Sequence, residues 1–161
     1  MTDVAADSNR LLVLRYLEEV VTQRNPAAAD ELFTADFRIA PHIETPGPDG
    51  VRDFVARLRA AFPDLTVALE QSLAEGDLVA THLTLRGTHR GEWRGIAPTG
   101  KTAEFREMQV YRIVGGRIAE RWFVLDLLGA LTQLGAVPSG PPRASVVEPA
   151  PPPPQSEALG P

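Results

Sequence analysis

The residues best suited to chemistry lie on two strand-like segments near the end of the chain, 105–114 and 117–126. Gly115-Gly116 joins them and suits a two-residue hairpin turn with positive φ. With that turn, facing residues sum to 231, so Ile113 meets Ile118, Gln109 meets Trp122 and Phe105 meets Asp126. Side chains alternate between faces. One face then carries Phe105, Glu107, Gln109, Tyr111, Trp122, Val124 and Asp126. The other carries Met108, Val110, Arg112, Arg121 and Phe123. A bulge in either strand would shift part of this assignment. The first face sets polar groups among hydrophobes, which suits a cavity wall. A carboxyl in such a wall loses hydration of its charged form, so its pKa rises. Asp126 is therefore expected to take and return a proton near neutral pH. Asp126 also precedes an apolar helical run, where it suits an N-cap. The two roles are compatible.

The other titratable candidates are few. His42, His82 and His89 are scattered, without HxH or HExxH spacing, so no metal site is expected. His82 sits mid-strand between Thr81 and Leu83, as a pocket group or an ordinary strand histidine. His42 lies in the loop before a helix, where it could line a pocket mouth. His89 is expected to fasten its loop by hydrogen bonds. Arg86, Arg90 and Arg94 form a small basic cluster, either solvated or facing a carboxylate-bearing ligand. There is no GxSxG elbow, no phosphate loop and no dinucleotide fingerprint. Cysteine is absent, which excludes disulfides, thiolate metal sites and a cysteine nucleophile.

These residues need a scaffold, and 161 residues suit one domain. Residues 138–161 hold nine of the fifteen prolines, so the folding unit is read as 1–137 and the remainder as a disordered, Pro-rich tail. A formal charge of -5 argues against nucleic-acid or anionic-membrane binding. No apolar run approaches a bilayer span, and the polar N-terminus lacks a signal peptide, so a cytoplasmic protein is expected. Ser8 can cap a first helix, which Asn25-Pro26 stops. A short second helix follows, then an extended piece from Phe37 to Ala40. Val51, Phe54, Val55, Leu58, Ala61 and Phe62 form the apolar stripe of a third helix. After Pro63 the period changes to two, giving strands over 65–70, 78–86, 105–114 and 117–126. A last helical turn or two spans 127–134. Helices first and strands second predict an α+β fold, a cone-shaped barrel of three N-terminal helices packed on a curved antiparallel sheet. A pocket is expected between the layers.

The chain resembles the SnoaL-like polyketide cyclases, or ester cyclases, of the nuclear transport factor 2-like superfamily. The resemblance runs from about residue 10 to 136. It is carried by His42 before PGPDGVRDF, AFPDL at 61–65, AEGDLVA at 74–80, GTHRGEWRGIAPTGK at 87–101 and YRIVGGRIAERWFVLDLLGALTQLG at 111–135. It implies the same cone-shaped α+β barrel. It also implies intramolecular aldol ring closure on an aromatic polyketide ester in secondary metabolism, with no metal and no cofactor. By motif position the family's acid/base aspartate corresponds to Asp126, its motif tryptophan to Trp122 and its pocket histidine to His42. The position of Gln109 often carries a short polar residue. His82 stands where the family often has arginine and keeps a titratable group there. Arg121 stands where it often has histidine.

Three readings follow. In the first, Asp126 and His82 act on a flat polyketide-like ligand held by His42, Trp122, Gln109, Glu107 and Phe105. In the second, the same pocket runs an isomerisation or an epoxide hydrolysis, with Glu107 beside Asp126. In the third, the protein binds a small apolar ligand without turning it over. A homodimer is expected through the open sheet face carrying Met108, Val110 and Phe123, which would otherwise leave apolar area in water.

Overall fold

The computed structural model of the protein describes residues 4–40 and 45–137. His42 and the Pro-rich tail lie outside the described residues. Helix α1 (Val4–Tyr16) runs into a wider π-helical turn, Leu17–Thr22. Ser8 lies inside α1, where its hydroxyl donates to the Val4 carbonyl, so it does not cap the start. A 3-10 turn at Pro26–Ala28 leads into the single-turn α2 (Ala29–Leu32) and strand β1 (Phe33–Ala40). Helix α3 (Gly47–Ala61) buries Val51 and Val55 and exposes Asp53 and Arg57, as its period predicts. Strands β2 (Thr66–Glu75), β3 (Leu78–Thr88), β4 (Thr102–Val114) and β5 (Arg117–Leu125) follow, then helix α4 (Leu127–Leu134).

The five strands form one curved, unclosed sheet in the order β1-β5-β4-β3-β2. β2 to β5 are antiparallel neighbours, while β1 runs parallel to β5. The antiparallel expectation therefore fails at one edge, where the chain reaches β1 before the long connection through α3. α1 packs on β2 and β3, and α3 packs on β1, so the helices cover the inner face. Two aromatic groups fill that layer. Tyr16, Phe33 and Phe37 pack edge-to-face, with centroids 5.0 and 4.6 Å apart. Phe62, Trp93 and Phe105 meet at 5.3 to 5.8 Å. Each large apolar side chain buried this way contributes about 1.5–3 kcal/mol.

The Gly-rich segment between β3 and β4 is held as a loop. Arg90 and Gly91 N–H groups donate to the Ala61 carbonyl at the end of α3, at 2.9 and 3.1 Å. A Cβ on Gly91 would sit 2.2 Å from the Ala60 carbonyl oxygen, so only glycine permits this approach. His89 is buried and its Nδ1 accepts from the Thr99 N–H, which fastens the loop from inside. No described helix is long and apolar enough to cross a membrane.

The last hairpin carries the largest departure from the sequence expectation. Gly115 and Gly116 adopt positive φ, and Val114 and Ile113 face Arg117 and Ile118. Beyond that point Arg112 faces Glu120, Tyr111 faces Arg121 and Gln109 faces Phe123. Ala119 is therefore an extra residue in β5, a one-residue bulge. Because the side-chain period is two, a one-residue shift moves the rest of β5 to the opposite face. Arg121, Phe123 and Leu125 turn inward, and Trp122, Val124 and Asp126 turn outward. The face expected to hold Trp122 and Asp126 inside is thus corrected. So is the outward placement of Phe123.

Candidate functional site

The inner face of β4 presents Phe105, Glu107, Gln109 and Tyr111 in succession, all buried. The bulge in β5 sets Arg121 directly beside Tyr111. α1 brings Tyr16 over both. Together they form a polar group inside an apolar cone. Arg121 Nη1 donates to the Tyr16 hydroxyl at 2.9 Å. The Tyr111 hydroxyl donates to the Gln109 side-chain oxygen. The guanidinium carbon of Arg121 lies over the rings of Phe54 at 4.9 Å and Phe123 at 5.2 Å, so aromatic faces replace part of its lost hydration.

Burial pushes the Glu107 carboxyl above the usual glutamate range. The Arg121 charge and a hydrogen bond with Gln109 oppose that push without cancelling it. Burial also works against the charge on Arg121, but Tyr16, Tyr111 and Glu107 more than offset it, so the guanidinium stays cationic. A buried acid whose proton is held tightly beside a fixed cation is a pairing suited to proton transfer.

A cleft of about 410 Å³ opens on this layer from outside. Phe54, Leu58, Trp93 and Phe123 wall it, and Arg57 and Arg94 stand at its rim. A smaller cavity of about 20 Å³ lies deeper, lined by Glu107, Gln109 and Arg121. Phe54 and Leu58 border both spaces. Of the basic cluster 86, 90 and 94, only Arg94 borders the cleft.

The expected site residues divide accordingly. Phe105, Glu107 and Gln109 come together on the inner face. His82 lies on the outer face of β3, opposite Met108. Trp122 is 36% exposed, with Arg112 over its ring at 5.7 Å. Asp126 is exposed and caps α4, its carboxylate accepting from the Gly129 N–H at 2.9 Å. His42 is outside the described residues. The dry, tryptophan-walled surroundings expected for Asp126 are absent at that position, because the bulge turns it outward.

The model of the SnoaL-like polyketide cyclases matches residues 11–134. The chain belongs to that family. Over 90 residues it is 32% identical to the nogalonic acid methyl ester cyclase of Streptomyces nogalater, covering 55% of this chain and 67% of that protein. TsrD from Streptomyces laurentii has a similar structure, with a TM-score of 0.75 and 27% identity over 85% of this chain and all of that one. IdmH from Streptomyces antibioticus aligns with a TM-score of 0.65 and 30% identity, over 82% of this chain and 99% of its own. Membership and the relatives' names support a polyketide cyclase-like function.

In this SnoaL-like chain, Arg121, Tyr16, Phe54 and Trp93 join the candidate site only through the fold. One signal for the bulge was available. In the unbulged register Arg112 faces Ala119, whereas the observed pairing lets Arg112 Nε meet Glu120 at 3.0 Å. Opposite charges on facing strand positions favour the shifted register.

Glu107 also sets a pH dependence of stability. The native carboxyl holds its proton to higher pH than the unfolded one. Stability is therefore full below the unfolded pKa and falls as pH rises toward the native value. Glu107→Gln removes that loss. The unfolding free energy of the natural protein minus that of the variant, measured in urea, should fall between mildly acidic and neutral pH. A flat difference would contradict the perturbed carboxyl.

Proposed function

We propose that the protein closes a ring in a flat, polyketide-like 1,3-dicarbonyl compound by intramolecular aldol addition, with Glu107 moving the proton. The observation that carries this reading is a buried acid with a raised pKa next to a cleft walled by Phe54, Trp93 and Phe123. The substrate lies in the cleft, flat against those rings. The Glu107 carboxylate takes a proton from the carbon between two carbonyls. The resulting enolate carbon bonds to a carbonyl carbon of the same molecule. The new alkoxide takes the proton back, so substrate and product are isomers. Gln109, anchored by Tyr111, positions Glu107. The proton-transfer role expected for Asp126 thus passes to a residue inside the cone, and Asp126 serves as the cap of α4.

A second reading has a specific basis. The deeper cavity has room for about one water, so an apolar ligand could occupy the outer cleft without reaching Glu107. That protein would bind and not turn over.

The outward face of the sheet keeps Met108, Val110, Trp122 and Val124 exposed, the last at 74%. A contiguous patch of this kind suits pairing with a second copy, and we assign it to a homodimer.

Nogalonic acid methyl ester is a suitable trial substrate, since the named relative is a cyclase of that compound. A ring-closed product of unchanged mass is expected, with kcat/KM rising with pH as Glu107 ionises. Glu107→Gln should lower the rate by about two to four orders of magnitude, while Asp126→Asn, which can still cap α4, should keep it within a few-fold. Equal losses in both variants would refute the assignment, and tight binding without turnover would favour the second reading. Sedimentation equilibrium at micromolar concentration should give twice the chain mass. Val124→Glu should return it to one, and a monomeric natural protein would rule the interface out.

A further inference from the structure

We propose that Arg121 is the receptor for an anionic oxygen of the ligand, carried as an enolate or a carboxylate on a flat apolar body. The inference deepens the ring-closure reading and shares its site, but it concerns binding and holds whether or not Glu107 transfers a proton.

Arg121 is 2% exposed and charged, yet its Nε and Nη2 have no hydrogen-bond partner among the described residues. Its one hydrogen bond, from Nη1, goes to a neutral phenol. The described ion pairs do not include it. Burying a charged donor without an acceptor is costly, and an ionised oxygen is the acceptor that repays it best. The guanidinium borders the deeper cavity, which is oxygen-sized. Phe54 and Leu58 line both that cavity and the outer cleft, so a rotation of Phe54 would join the two spaces. A ring system lying on Phe123 and Trp93 would then project one oxygen toward Nε and Nη2. Arg57 and Arg94 at the rim, against Glu92, leave the mouth net positive and favour approach of an anion.

The shared chemistry has two sources, and three probes separate them. 2-Naphthoate, methyl 2-naphthoate and benzoylacetone are titrated against the full chain, the first two by fluorescence and the third by the absorbance of its enolate. The naphthoate should bind about tenfold to a hundredfold more tightly than its ester. Bound benzoylacetone should ionise at least about one pH unit below the free compound. A response to naphthoate alone identifies a carboxylate ligand, and a response to benzoylacetone alone identifies an enolate. Arg121→Met should abolish the discrimination, and Glu107→Gln should keep it even if ring closure is lost. Arg121→Gln serves if the methionine variant does not fold. Equal binding of acid and ester together with un-ionised benzoylacetone would overturn the proposal, as would full discrimination in either folded Arg121 variant.

Discussion

One extra residue, Ala119, governs what the interior of this protein can do. The bulge it makes lets Arg112 bridge Glu120 on the outside and turns Arg121 inward. Every later residue of β5 follows. Phe123 becomes a wall of the cleft, and Asp126 reaches the surface in time to cap α4. Without the bulge, Glu120, Trp122 and Val124 would face inward and the cone would hold no guanidinium. Bulges bend and twist a strand as well as shifting it, which suits β5, an interior strand that must pair with β4 on one side and with the parallel β1 on the other.

The buried arginine imposes its own requirements. A charge inside an apolar layer is tolerated only when neighbours replace water. Here the replacement comes from three elements: the Tyr16 hydroxyl from α1, the rings of Phe54 from α3 and Phe123 from β5, and the field of Glu107 from β4. Burial in the same layer holds Glu107 protonated to higher pH than usual, against the opposing pull of Arg121, so the two ionisable groups define one site. Tyr16 reaches Arg121 from the last residue of α1, where the helix widens into a π turn. That turn brings Leu17, Val20 and Val21 into the core.

Much of the fold was legible because its signals are periodic and local. The apolar stripe of α3, the switch to period two after Pro63 and the Gly115-Gly116 turn each act within a few residues, and each led to the observed element. The resemblance to the SnoaL-like family drew on the same segments. The site was less legible. The inward placement of Phe105, Glu107 and Gln109 is legible because β4 alternates without interruption. Trp122 and Asp126 depart from the inward face expected of them because an alternating pattern does not reveal a bulge, and a single inserted residue reverses every side chain beyond it. His82, left open in sequence between a pocket group and an ordinary strand histidine, takes the outer face of β3. In sequence Phe54 belongs to a core stripe and Trp93 to a loop, since only the fold brings the third helix, the Gly-rich loop and β5 to one cleft.

The chain has no cysteine, so the register of β5 can be read directly. Single cysteines placed in turn at positions 118 to 124 are labelled with a thiol reagent, at dilutions below self-association. Slow labelling is expected at 118, 121 and 123 and fast labelling at 122 and 124, with the alternation broken at 119–120. An unbroken alternation that protects 118, 120, 122 and 124 and exposes 121 and 123 would contradict the buried Arg121 and the site built around it.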